Sequence, residues 1–168
     1  AKNHNKEKEI WLIYYRKSSG KKRIPYNDAV EEALCYGWID SILKGIDDEK
    51  FAQRFSPRKP NSVLSQTNKE RIHRLIEKKK MASKGLNAVK HAFDESSKNS
   101  KCVIKDDILK LLKEDKTTWE YFQKFSESYK RIRIGWIEDA RNRPELFKKR
   151  LGYFLKMTAK NKKYGMVQ

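Results

Sequence analysis

Residues 31–68 read EEALCYGWIDSILKGIDDEKFAQRFSPRKPNSVLSQTN, and the reading of this stretch decides the fold. It begins inside a segment whose apolar residues, Tyr26, Val30, Ala33 and Leu34, recur at helical spacing. Gly37 follows where a left-handed residue closes a helix. Trp38 to Lys44 and Phe51 to Ser56 are short and rich in aromatic and β-branched residues. Gly45-Ile46-Asp47-Asp48-Glu49 separates them, so they predict a hairpin around a loop of those residues. Pairing Lys44 with Lys50 sets Leu43 opposite Phe51 and Ile39 opposite Phe55 on one apolar face. The other face then carries Trp38, Asp40 and Ile42 against Ser56, Arg54 and Ala52, with Asp40 directly across from Arg54.

Outward from the hairpin, Ile10 to Arg16 has the β propensity of a strand, and Lys17 to Lys21 forms its turn. Pro25 stands at the helix entrance, and Asp28 supplies first-turn negative charge. Strand, helix, strand and hairpin partner in that order predict a small mixed sheet, covered on one face by a helix over 26–36. After Pro60 the period changes to helical. Ser65 and Thr67 offer caps, Thr67 with Glu70 at capping-box spacing, ahead of Ile72, Leu75 and Ile76. Ser83 is read as the cap of a short helix with Leu86, Val89 and Phe93 inward. Residues 94–101 (DESSKNSK) are polar, unperiodic and read as a linker. Beyond them come the stripes Ile108, Leu111, Leu112; Trp119, Phe122, Phe125; and Tyr129, Ile132, Trp136, Ile137, Ala140. Pro144 then opens a last helix carrying Leu151, Phe154 and Leu155. The fold class is therefore α+β: a core domain over 1–97, expected to lack its extreme N-terminus, and an all-helical subdomain over 98–168.

The chain has 168 residues and a formal net charge of +18. Such a balance favours nucleic acid or another polyanion, although the excess is spread along the chain and consists mainly of Lys. No apolar run of membrane-spanning length and no export signal is present, so the expected address is cytoplasmic, without membrane insertion. Cys35 and Cys102 lack metal spacing and read as free thiols. Cys35 lies in the last turn of its helix, where the dipole raises a thiol pKa. His4, His73 and His91 show no metal pattern and read as surface residues. No phosphate loop, paired catalytic carboxylates, Ser-His-Asp set or zinc signature appears, so no catalytic residue, metal or cofactor is assigned.

One constellation invites a ligand. Arg54, Arg58 and Lys59 concentrate charge within six positions, Asp40 can orient Arg54, and a helix amino end with Asn68 and Arg71 follows. Helix amino ends and guanidinium groups suit anions. Asp40, Arg54, Arg58, Lys59, Asn68 and Arg71 are therefore the expected anion site, lined by Cys35 and Trp38.

EALCYGWIDS (32–41), the continuation 47–81 from DDEKFAQRF to EKKKM, and WIEDARNRPELFKKR (136–150) together resemble the bacterial YdeI/OmpD-associated, or bacteriocin-protection, family over most of the chain. Three features depart from its pattern: Pro25 at the helix entrance, Val63-Leu64 where an aromatic is common, and the absence of a Thr-Arg pair in 142–147. The resemblance implies a fold more than a function, and the leading expectation is a non-enzymatic cytoplasmic binding protein of that type, whose partner is another protein or an anionic small molecule. The alternatives are a small enzyme acting on a phosphorylated or carboxylated metabolite, with Asp40 as acid/base, and a sequence-tolerant nucleic-acid binder.

Overall fold

A computed structural model describes residues 3–94 and 100–165. The chain is α+β, with its strands in the N-terminal part and only helices after residue 100. It divides into two compact units, Ala1–Leu64 with Arg71–Asp94, and Ser65–Glu70 with Glu95–Gln168. The expected linker falls largely on 95–99, outside the described residues.

In the first unit, β1 (Ile10–Tyr15) leads through a short turn into α1 (Tyr26–Cys35), then β2 (Trp38–Gly45) and β3 (Lys50–Pro57). The sheet order is β1-β3-β2, and β3 runs antiparallel to both neighbours. Among the described residues the sheet is antiparallel rather than mixed. β1 and β2 do point the same way, as a strand-helix-strand crossover requires, but β3 inserts between them and takes both ladders.

The hairpin register differs from the expected one. Near the loop Gly45 pairs with Phe51 and Leu43 with Gln53; farther along, Asp40 pairs with Phe55 and Ile39 with Ser56. Ser41 and Ile42 together oppose Arg54, a β-bulge that periodicity alone cannot anticipate. The loop is displaced by one position, and within it Asp47 Oδ1 accepts from the backbone N–H groups of Glu49 and Lys50, at 2.9 and 2.7 Å, closing a tight turn. Asp40 therefore shares a face with Phe55, and Arg54 belongs to the opposite face.

The face bearing Phe55 and Trp38 is covered by α1 through Val30, Leu34 and Cys35, joined by Leu75 of α2 (Gln66–Glu77). Gly37 does close α1, at φ +75°, and its N–H donates to the Leu34 carbonyl. Ser65 rather than Thr67 caps α2, accepting from the Asn68 N–H. α3 (Ser83–Val89) follows with Ala82, not Ser83, at its N-cap. Leu86 is exposed, whereas Val89 is buried with Leu64 and Ile72. His73 is buried as well, its ring 4.6 Å from that of Phe93, so the surface assignment fails for it. The other sheet face leaves Trp11, Ile13 and Ile42 exposed.

The second unit contains α4 (Asp106–Glu114), α5 (Lys116–Lys124), α6 (Glu127–Glu138) and α7 (Pro144–Thr158). Its core is built from stripes read in the sequence, through Ile108, Leu112, Phe122, Phe125, Tyr129, Ile137, Leu151 and Phe154, joined by Ile134, which no stripe included. Pro144 is the first residue of α7, where its missing N–H costs nothing. No described helix is long and apolar enough to cross a membrane.

Candidate functional site

The expected anion cluster does not assemble. Arg54 Nε donates to Glu9 Oε2 at 2.6 Å, and Trp11 Nε1 donates to the other Glu9 oxygen at 3.0 Å. Those two bonds, Trp11 first, hold the Glu9 carboxyl below its ordinary pKa. Arg58 turns back along its own loop and donates to the Val63 carbonyl at 2.9 Å. Burial lowers its pKa, and its Nε is enclosed with no partner among the described residues. Lys59 is exposed. Asn68 is buried in the first turn of α2, its backbone committed to the Ser65 cap.

Two members of the set do come near each other. Asp40 Oδ2 accepts a 2.6 Å hydrogen bond from the Tyr26 hydroxyl, and Arg71 Nη2 donates to Asn27 Oδ1 at 2.7 Å. Tyr26 and Asn27 open α1, so one helix start gathers a carboxylate from β2 and a guanidinium from α2. Burial, and then the bond to Asp40, push the Tyr26 phenol well above its ordinary range. Burial lowers the Arg71 pKa, with the Tyr26, Glu31 and Asp40 charges acting the other way. Tyr14 lies in the same field: it is buried, its hydroxyl has no partner among the described residues, and burial followed by the Asp40 charge raises its pKa. The cluster ties the sheet to two helices.

Cys35 is 3% exposed, and burial raises its thiol pKa, as befits a thiol packed in the core. Trp38 is also buried, but its ring reaches a cavity that Cys35 does not. This cleft, of about 550 Å³, opens in the first unit between the sheet, α1 and the N-terminal segment. Its floor is Ile10, Leu12, Phe55 and Trp38; Ala29 and Ala33 of α1, with Tyr36 just past its end, form one wall; Asn3, His4 and Glu7 form another. The N-terminal wall is held by the His4 carbonyl, which accepts from Trp38 Nε1 at 3.2 Å and from Lys84 Nζ at 3.3 Å. Lys84 also donates to Asn5 Oδ1 at 2.6 Å. The His4 ring rests on Tyr36, with centroids 4.8 Å apart.

Of the expected site residues only Trp38 lines this cleft. Sequence reasoning passed over the rest, although α1 carries the signal. Asp28, Ala29, Glu32, Ala33 and Tyr36 recur one turn apart on a single helix face. Small side chains facing a sheet of Ile, Leu and Phe leave space where larger ones would fill it. Neither Asp40 nor any predicted cation enters the cavity.

The chain belongs to the family described as "Domain of unknown function (DUF8412)", which matches residues 1–88. The family described as "Bacteriocin-protection, YdeI or OmpD-Associated" matches residues 101–161. That second match supports the resemblance drawn from WIEDARNRPELFKKR but covers only part of the chain; the central block around EALCYGWIDS falls within the first. No curated protein and no solved structure matches significantly.

Proposed function

We propose that this is a non-enzymatic binding protein whose ligand enters the cleft between α1 and β1. The observation that carries the reading is the cavity itself: about 550 Å³, floored by Ile10, Leu12 and Phe55 beside the Trp38 ring. Its volume lies within the roughly 300–1,000 Å³ typical of small-molecule sites, and its mostly apolar lining is also typical of them. Against catalysis stands the state of the best acid/base candidate, since Asp40 already accepts from Tyr26 and does not line this cleft. The words "protection" and "associated" in the name of the second family also describe holding a partner rather than converting a substrate.

The test uses N-phenylnaphthylamine, a neutral dye that brightens in apolar surroundings. Saturable binding to the protein, with quenching of Trp38 emission, is expected, and Ala33→Phe should abolish it while leaving the circular dichroism spectrum unchanged. Binding that is unsaturable, or indifferent to Ala33→Phe, would remove the cleft as the site.

A further inference from the structure

We infer that the cleft selects an organic cation, an apolar molecule ending in a protonated amine; this rests on the cleft being the ligand site. The protein carries a net charge of +18, so cations are abundant and carboxylates scarce. Several carboxylates elsewhere find partners: Glu9 pairs with Arg54, Glu31 with Arg74, Glu49 with Lys21, and Glu127 with Lys130. The three that line the cleft, Glu7, Asp28 and Glu32, have no side-chain hydrogen bond or ion pair among the described residues. Asp28 and Glu32 are one helical turn apart, a spacing at which like charges repel. Lys84, beside the same wall, is engaged by Asn5 and the His4 carbonyl and neutralises none of the three.

The negative charge is placed where a ligand would meet it. An apolar body seated on Ile10, Leu12 and Phe55 leaves its polar end at the rim, where Asp28 and Glu32 are exposed to solvent. A carboxylate there would be repelled, an alcohol tolerated and an ammonium attracted. Because the rim is wet, each ion pair contributes modestly, and the preference is expected to be roughly five-fold and to weaken with salt.

The experiment displaces N-phenylnaphthylamine with three molecules sharing one apolar body: phenylbutylamine, phenylbutanol and phenylbutanoate. The amine should compete about five-fold better than the alcohol, and the acid worse than the alcohol. The variant carrying Glu7→Gln, Asp28→Asn and Glu32→Gln should bring amine and alcohol to equal strength, each competition being referred to the variant's own dye affinity. Equal competition by all three in the unaltered protein, or a preference for the acid, would overturn the cation inference and leave the cleft as an apolar site. No binding of dye or competitors would remove both. Light scattering that shows a concentration-dependent dimer broken by Ala33→Phe would assign the groove to a second copy, and overturns the inference as well.

Discussion

Tyr26 and Asp40 illustrate how one hydrogen bond fixes the meaning of a residue. The carboxylate appears in the sequence as a partner for Arg54, but the bulge turns it to the helical side of the sheet, where the Tyr26 hydroxyl meets it at 2.6 Å. Tyr26→Phe removes the donor and leaves a part-buried carboxylate short of one bond, so a loss of about 1–2 kcal/mol is expected in urea unfolding. The same bond makes stability pH-dependent. Because the folded phenol titrates above its unfolded value of 10.0, its contribution is complete below that pH and declines as pH rises beyond it. Tyr26→Phe should flatten that alkaline decline. Glu70 works in the opposite sense. Burial pushes its carboxyl upward, but bonds from Arg131 and then Gln66 outweigh this and hold it below 4.5. Arg131 reaches it with two nitrogens, at 2.6 and 2.8 Å, and both side chains are nearly enclosed. This contribution is present above pH 4.5 and lost as acid protonates Glu70 in the fold. Arg131→Ala strands a buried charge and should cost about 3–5 kcal/mol at neutral pH, with a smaller deficit in acid.

At the level of elements, α1 and α3 meet through two glycines. Gly37 has φ +75°, and a Cβ there would lie 2.7 Å from that of Ala88. A Cβ on Gly85 would stand 2.2 Å from the Cys35 carbonyl oxygen, a backbone atom that cannot step aside. Gly85→Ala is therefore expected to destabilise the protein by about 2–3 kcal/mol, the upper range for overpacking, measured by thermal or urea unfolding. Gly37 was legible as a helix terminator because its position follows a helical stripe. Gly85 was not, since its reason is an approach between segments fifty residues apart in the chain. The hairpin shows the same division. Its two strands could be read from Trp38, Ile39, Phe51 and Phe55, but its register depended on the Asp47 turn and the Ser41–Ile42 bulge, which leave no mark on hydrophobic alternation. Stripes such as Ile108–Leu112 and Leu151–Phe154 were read correctly because a helix buries one face whatever its neighbours are.

Over the whole molecule, composition suggested anions, whereas the candidate site presents carboxylates. Charge counted along a chain says nothing about which side chains pair, and here Arg54, Arg58 and Arg71 are committed to Glu9, to backbone carbonyls and to Asn27. A cavity is likewise a property of the assembled fold: Ala29 and Ala33 read as ordinary helix residues until Leu12 and Phe55 are placed opposite them. The claim that the ligand site is this cleft, and not the basic cluster after the hairpin, is tested most directly by mapping amide and indole resonances during titrations with phenylbutanol and, separately, inorganic phosphate. Saturable shifts are predicted with phenylbutanol at Ile10, Leu12, Ala29, Ala33 and the Trp38 indole, with no saturable response to phosphate. Saturable shifts centred on Arg54, Arg58 and Lys59, or silence at the cleft residues, would contradict it.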